Sequence, residues 1–136
     1  MSPDTLSDRI ALQDVMLDYA TGVDERDLAL YRSCFAEDVR VIGFGDSTHT
    51  GRDNWVDYVW NALERYSSTQ HLLGPQHATI NGDTAYTRTD VQATHFLIEG
   101  GQRFTLWATY KTDMRREDRR WVISRHELVV RGFSTD

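Results

Sequence analysis

Apolar residues recur at helical spacing through the first half of the chain. One such pattern covers Leu6 to Val23, and a shorter one runs from Leu28 to Phe35. A third covers Arg52 to Arg65, after a stretch rich in β-branched residues from Val39 to Phe44 that predicts a strand. The first half of the chain is therefore predicted to run helix, helix, strand, helix.

From Thr69 onward the hydrophobic period changes to two, as in strands with one buried face. One strand is predicted from Thr69 to Ile80, with a bulge or bend at Gly74-Pro75. Asn81-Gly82-Asp83 predicts a tight hairpin turn, because Asn-Gly accepts the positive φ angles that such a turn requires. Three further strands are predicted at 84–98, 104–111 and 121–133, with turns at 99–102 and 115–120.

Helices followed by a run of hairpin-linked strands predict the α+β class. Long antiparallel strands twist and curl. Three N-terminal helices on the concave face of a curled, mostly antiparallel sheet would form a cone-shaped roll with one open end. We expect a single domain over residues 1–136, with a mostly apolar pocket inside the cone.

A ten-residue stretch from Asp18 to Asp27 joins the first two helical patterns. Gly22 is predicted to stop the first helix, and either Asp24 or Asp27 to cap the second. We expect this stretch to bring Tyr19 and Asp24 to the mouth of the pocket.

Composition excludes several classes of protein. Apolar residues make up 40% of the chain and charged residues 26%, an ordinary globular balance. The net charge of −6 argues against nucleic acid as a partner, because phosphate binding needs a basic surface. No stretch approaches the roughly 20 apolar residues that span a bilayer, and the N-terminus lacks a signal-peptide pattern. We therefore expect a cytoplasmic protein without membrane contact.

The residues that carry chemistry point to side-chain proton transfer. Asp24 follows the first helix, and His71 stands on a strand otherwise filled by apolar residues; a helix cap and a hydrogen-bonded core histidine are the structural alternatives. The single cysteine, Cys34, builds no disulfide and is expected to be a buried, inert thiol. No metal-binding histidine pair, phosphate loop, dinucleotide fingerprint or nucleophile elbow occurs. We predict no metal and no cofactor.

Several short motifs, in order along the chain, resemble the SnoaL-like branch of the nuclear transport factor 2-like superfamily. The resemblance extends from about Leu6 to Gly132. Its motifs are Tyr19-x4-Asp24, Phe35-Ala36-Glu37-Asp38, His71-Leu72-Leu73-Gly74, Ile80-Asn81-Gly82-Asp83-Thr84-Ala85, Tyr110 and Trp121-Val122-Ile123-Ser124-Arg125.

The resemblance implies a site as well as a fold. Dehydratases and dehydrochlorinases of this branch use an aspartate at the end of the first helix and a histidine on the strand after the third. These positions match Asp24 and His71, and Tyr19 matches a tyrosine that assists in some members. The candidate substrate-binding residues are His126, Arg125, His95 and Trp55.

Two functions are compatible with such a site. The first is a cofactor-independent lyase or isomerase acting on a small hydrophobic ring compound such as a steroid, polyketide or terpenoid. The alternative is a non-catalytic small-molecule-binding domain, or a structural subunit that resembles the small subunit of ring-hydroxylating dioxygenases. Tyr86, Phe96 and either Trp107 or Tyr110 are expected on the outer face of the sheet, which favours a homodimer or homotrimer.

Overall fold

The computed structural model describes residues 3–136, with side chains from residue 5 onward. Over these residues the helices are α1 (Pro3–Asp24), α2 (Leu28–Ser33) and α3 (Arg52–Leu63). The strands are β1 (Phe35–Ile42), β2 (His49–Thr50), β3 (Tyr66–Leu73), β4 (His77–Asn81), β5 (Thr84–Leu97), β6 (Arg103–Glu117) and β7 (Arg120–Thr135). Short polar side chains favour the N-cap, so the sequence predicts Ser2 or Asp4 as the N-cap of the first helix. Both residues lie outside the part of the chain whose side chains are described.

The strands form a single curled sheet in the order β2-β1-β7-β6-β5-β3, with β4 also paired to β5. Only the β1–β7 pair among these described strands is parallel; the others are antiparallel. Helix α1 packs against β3, β4 and β7, and α3 packs against β1 and β2. The predicted α+β roll is therefore confirmed.

The strand predicted from 69 to 80 is divided in the structure. β3 and β4 both pair with β5, on consecutive parts of its length. Between them the chain leaves the ladder at Gly74, whose N–H still donates to the Asp90 carbonyl at 2.8 Å. Pro75 has no N–H to continue the pairing, so the predicted bend is a complete break. The predicted hairpin is confirmed, with Asn81 paired to Thr84.

Helix α1 buries a narrower stripe than its apolar residues suggested. The buried residues recur every three or four positions and face the sheet: Leu12, Val15, Met16, Tyr19 and Val23. Leu6, Ile10 and Leu17 lie on the opposite side of the helix and are about half exposed. None of the described helices is both long enough and apolar enough to cross a membrane.

Gly22 does not stop α1, which continues to Asp24. Its role is a close approach between α1 and α2. A Cβ atom at this position would lie 2.8 Å from the backbone nitrogen of Tyr31 and 2.9 Å from its Cα. Any side chain here would therefore push the two helices apart.

The second helix begins at a cap and ends at the cysteine. Asp27 is its N-cap, and the carboxylate accepts a hydrogen bond from the Leu30 N–H at 3.1 Å. Asp24 is therefore not needed as a cap. Cys34 follows the last turn and is buried, and burial raises the pKa of its thiol to about 12. The thiol is protonated near neutral pH, as expected for an inert cysteine.

Gly22→Ala is expected to destabilise the protein. Replacing glycine by alanine inside a helix ordinarily stabilises it by about 1 kcal/mol. Here the added methyl group overlaps the Tyr31 backbone, and we expect a net loss of about 1–3 kcal/mol in the free energy of unfolding, measured in urea. Gly132→Ala is the control, because a Cβ there meets no atom within 4 Å. Equal stability of the two variants would contradict this account of Gly22.

Candidate active site

A cavity of about 410 Å³ lies between the concave face of the sheet and the helices. Eight of its nineteen lining residues are aromatic: Tyr19, Tyr31, Phe44, Trp55, Tyr58, Tyr66, Phe104 and Tyr110. Two histidines, His71 and His95, and the exposed Arg65 add polar groups to this wall. The size and the lining are those of a site for a small, largely apolar molecule.

Asp24 and His71 are in direct contact beside this cavity. Asp24 is the last residue of α1, and His71 lies on β3. The His71 Nδ1 atom is 2.8 Å from Asp24 Oδ1, and the His71 backbone N–H donates to Asp24 Oδ2 at 2.7 Å. Only 9% of the His71 side chain and 19% of the Asp24 side chain are exposed. The structure therefore brings together the two residues that the sequence singled out.

The charge of Asp24 and the tautomer of His71 follow from the contacts between them. Burial alone would raise the pKa of Asp24, but hydrogen bonds from His71 and Thr69 outweigh it and hold that pKa below its ordinary value. Near neutral pH the carboxylate is ionised and only accepts hydrogen bonds, so His71 Nδ1 carries the hydrogen. In this tautomer the lone pair of the uncharged ring lies on Nε2, the nitrogen left for a substrate.

Tyr19 belongs to a second polar group, formed by buried aromatic side chains. Its hydroxyl lies 3.2 Å from Nε2 of His126, whose Nδ1 lies 2.9 Å from the Thr112 hydroxyl. The Tyr19 ring also packs against Tyr31 and Tyr110, with ring centroids 5.0 and 5.3 Å apart. His126 is fully buried and packs against three residues that line the cavity, Tyr19, Phe44 and Tyr110.

Burial determines the charge of this second group. It raises the pKa of Tyr19, Tyr31 and Tyr110 well above the ordinary value, so these phenols stay protonated. It lowers the pKa of His126 to about 3, so the imidazole is neutral near pH 7. A cluster of neutral hydroxyl groups can donate hydrogen bonds to an oxygen of a bound molecule but cannot act as a base.

His95 lies on β5 beside the acid–histidine pair. Its ring is 6.0 Å from the His71 ring, and its Nδ1 lies 3.2 Å from the Phe104 carbonyl oxygen. A carbonyl only accepts, so this nitrogen is the donor and Nε2 carries the lone pair. Burial, followed by the neighbouring His71, lowers the pKa of His95. It therefore supplies a neutral hydrogen-bond acceptor to the cavity wall.

Of the other candidate residues, Trp55 lines the cavity and Arg125 does not. The indole N–H of Trp55 donates to the Tyr31 hydroxyl at 3.1 Å. Arg125 points to the opposite face of β7, where it lies 3.7 Å from Glu127 and is 43% exposed. Side chains alternate along a strand, so Arg125 and its neighbour His126 cannot both face the cavity. The expectation that Arg125 binds substrate is therefore corrected.

The candidate site residues leave out four tyrosines of the cavity wall, and two of them, Tyr31 and Tyr110, show why. Tyr31 lies within the apolar pattern from Leu28 to Phe35, which predicts a buried helix face and no site. Tyr110 is one of two alternatives, with Trp107, for the outer face of the sheet. Trp107 is 41% exposed on the outer face, whereas Tyr110 is buried. Strand alternation separates these two residues, so the available signal was the parity of β6. Among the side chains described, those of residues 5–136, no three of His, Cys, Asp or Glu are grouped to hold a metal ion.

The roll and its enclosed acid–histidine pair define a small α+β protein with an enzyme-like cavity. The chain belongs to the family of SnoaL-like domains, whose model matches residues 4–127. This family membership confirms the resemblance to the SnoaL-like branch of the nuclear transport factor 2-like superfamily.

Individual relatives include enzymes of one reaction type. Hexachlorocyclohexane dehydrochlorinase 1 of Sphingobium indicum is 28% identical over 96% of this chain and 86% of its own length. The crystal structure of a hexachlorocyclohexane dehydrochlorinase, LinA Type2, superposes with a TM-score of 0.90 at 27% identity, covering 98% of this chain and 91% of that one.

A third comparison supports the fold alone. A protein from Novosphingobium aromaticivorans, provisionally named a scytalone dehydratase, superposes with a TM-score of 0.92 at 21% identity. The superposition covers 98% of this chain and 91% of that one. The roll is thus shared well beyond the range of close sequence similarity.

The buried neutral histidine predicts a loss of stability in acid. The pKa of His126 falls from 6.5 to about 3 on folding, so between these values the unfolded chain binds a proton that the folded chain does not. Stability is therefore fully present above about pH 6.5 and is lost as the pH falls toward 3. We expect His126→Gln, which does not titrate, to make this decline shallower in urea denaturation from about pH 7 to about pH 4.

The exposed His77 on β4 provides the control. In His77→Gln, the free energy of unfolding should decline with falling pH as steeply as in the wild-type protein. If His126→Gln and His77→Gln show the same dependence on pH, His126 is protonated in the folded state and the argument from burial is wrong.

Proposed function

We propose that this protein is a cofactor-independent lyase or isomerase acting on a small hydrophobic ring compound. The observation that carries the proposal is the contact between Asp24 and His71, at 2.8 Å, on the wall of an aromatic cavity. A domain that only binds an apolar molecule has no need of an oriented acid–histidine pair. The dehydrochlorinase relatives, which by name eliminate chloride from a ring compound, support an elimination.

The chemistry follows from the negative charge of Asp24 and the tautomer of His71. His71 Nε2 accepts a proton from a carbon atom of the substrate, and Asp24 stabilises the imidazolium that forms. In an elimination, the electron pair of the broken C–H bond forms a C=C bond while the leaving group departs with its own pair. In an isomerisation, the same proton returns at another carbon. Both reactions need only these side chains.

The tyrosine cluster favours a substrate that carries oxygen. A Tyr19 hydroxyl with a raised pKa stays protonated and is suited to donate a hydrogen bond to an enolate or to a departing hydroxyl group. His126 lies behind Tyr19, at 3.2 Å from its hydroxyl oxygen, and keeps that group oriented. His95 and Trp55 line the same cavity and would contact the ring. Steroids, polyketides and terpenoids that carry a keto or hydroxyl group on a ring fit both the apolar wall and the hydrogen-bond donor.

The first test is a screen for proton abstraction in heavy water. Ring ketones, hydroxylated polyketides and chlorinated cyclohexanes are incubated with the protein in D₂O, and mass spectrometry detects loss of water, loss of HCl or uptake of deuterium. His71→Gln and Asp24→Asn should each lower turnover by about 10²–10⁴ while the circular dichroism spectrum stays unchanged. Tyr19→Phe should cost less, because a hydrogen-bond donor assists a reaction that the base still performs.

The control is His77→Gln, on an exposed position of β4, which should retain full turnover. Binding of a ring compound without turnover or deuterium uptake in the unchanged protein would favour the alternative function, a non-catalytic binding domain. Turnover that survives His71→Gln would remove the proposed mechanism.

We also propose that the protein is a homodimer or homotrimer joined through the outer face of its sheet. Tyr86, Phe96 and Trp107 are each at least 40% exposed there, and exposed aromatics at this density favour a covered surface. Light scattering should then report a multiple of 15.7 kDa. Phe96→Arg should lower the measured mass, whereas Leu17→Arg, on the exposed side of α1, should not. A 15.7 kDa species alone would refute the assembly.

A further inference from the structure

The chain turns sharply after Asp24, at a residue where glycine is usual. The Arg26 N–H donates to the Val23 carbonyl at 3.1 Å, and the Asp27 N–H donates to the Gly22 carbonyl at 2.8 Å. This pair of bonds is the Schellman motif, which places one residue in the left-handed region. That residue is Arg26, with a φ of 55°. A side chain in this strained conformation indicates that its contacts compensate for the strain.

The Arg26 side chain turns back toward the acid–histidine pair. Its Nη1 donates to the Val23 carbonyl and, at 2.9 Å, to the hydroxyl oxygen of Thr69. Thr69 is buried on β3, and its hydroxyl lies 3.0 Å from Asp24 Oδ1. The Nη2 atom of Arg26 is buried with no hydrogen-bond partner among the described residues. The guanidinium is therefore held by its Nη1 contacts despite one unsatisfied donor.

The direction of this chain of hydrogen bonds is fixed. A guanidinium only donates, so the Thr69 oxygen must accept from Arg26. An ionised carboxylate only accepts, so the single hydroxyl hydrogen of Thr69 must point at Asp24. Oδ1 of Asp24 thus receives one hydrogen from Thr69 and one from His71. Rotation of the carboxylate would break both bonds.

We infer that Thr69 and Arg26 are positioning residues, which hold the Asp24 carboxylate in the one orientation that orients His71. This inference rests on the proposed role of Asp24 and His71 in proton transfer. Neither Thr69 nor Arg26 lines the cavity, so both act through Asp24 and not on the substrate.

The charge of Arg26 reaches Asp24 through a hydroxyl group and not through a direct ion pair. A guanidinium bound to the carboxylate itself would compete with His71 for the same oxygen atoms. The intervening threonine keeps a cation near the acid while leaving Oδ1 open to the imidazole. Besides Arg26, the titratable groups that face Asp24 are His71 on β3, His95 on β5 and Tyr110 on β6.

A second series of hydrogen bonds from an arginine through a threonine to an aspartate occurs on the outer face of the sheet. Arg131 Nε donates to the Thr109 hydroxyl at 3.2 Å, and Thr109 donates to Asp90 Oδ1 at 2.7 Å. No histidine is bonded to Asp90 in the part of the chain that the structure describes, and its side chain is 63% exposed. An Arg–Thr–Asp chain alone is therefore compatible with a purely structural role. Thr109 provides a matched control for Thr69.

The test compares Thr69→Val with Thr109→Val, since both remove one hydroxyl from a buried strand position and keep the shape of the side chain. Carboxyl ¹³C titration should show the Asp24 pKa raised by about one pH unit in Thr69→Val and unchanged in Thr109→Val. The ¹⁵N shifts of His71 should show loss of the pure Nδ1–H form only in Thr69→Val. Thr69→Ser, which restores the hydroxyl, should restore both signals.

Kinetics supply the second readout. With any substrate that the screen finds, Thr69→Val should lower kcat by about tenfold to a hundredfold with little change in KM, because Thr69 orients the reacting group without touching the substrate. Arg26→Gly keeps the left-handed backbone and removes the guanidinium. It should lower kcat in the same way, and adding it to Thr69→Val should cause little further loss. If Thr69→Val fails to fold, Arg26→Gly with the same NMR readouts tests the hydrogen bonds to Asp24 by removing the first donor of the series.

Outcomes for the two proposals are separable. Unchanged Asp24 and His71 signals in both Thr69→Val and Arg26→Gly would overturn the positioning role whether or not a substrate is known. Full kcat in those variants, combined with loss of turnover in His71→Gln, would also overturn it while leaving the proposed function intact. Turnover in His71→Gln would overturn the proposed function, and the NMR signals would still decide the role of Thr69.

Discussion

The carboxylate of Asp24 accepts three hydrogen bonds, and all three donors belong to β3. They are the Thr69 hydroxyl, the His71 backbone N–H and the His71 ring. A largely buried carboxylate is costly unless such donors are in place, so the end of α1 has a single favourable position on the sheet. That position is also the one that orients the imidazole. Docking of the first helix and assembly of the candidate site are therefore the same event.

The two polar groups of the cavity differ in charge, because burial and hydrogen bonding are balanced differently in each. At the acid–histidine pair, hydrogen bonds outweigh burial and keep a negative charge in place. At the tyrosine cluster, burial prevails, and Tyr19 and His126 are both neutral. An aromatic wall of low polarity strengthens each interaction, because little water is present to screen it. One cavity thus offers a base supported by a carboxylate and a set of neutral donors.

The sequence predicts the architecture well because local signals agree with the fold. The change of period near Thr69 and the Asn81-Gly82 turn both depend on nearest neighbours, and both lie where the structure has them. The contact between Asp24 and His71 was expected only through a resemblance that aligned two distant residues. The sequence predicts only a bulge or bend at Gly74-Pro75, whereas the strand is interrupted there, because a missing N–H ends the ladder of hydrogen bonds.

Other features depend on distances that the sequence does not contain. Gly22 was interpreted as a helix stop, whereas its real constraint is the Tyr31 backbone on another element. Arg125 is a candidate only through the family resemblance, which does not tell which face of β7 the side chain occupies. Nothing in the sequence around Arg26 reveals that a threonine on β3 lies within reach of its side chain.

The parallel pairing of β1 with β7 has a consequence for the order of folding. β1 cannot complete its pairing until β7, almost 80 residues further on, is available, so the cavity wall closes only after β7 has joined the sheet. During synthesis, the helices and β1 emerge well before their partner, and their apolar faces must stay covered in some other way. A ligand of the cavity can therefore stabilise only a chain in which β7 has already joined the sheet.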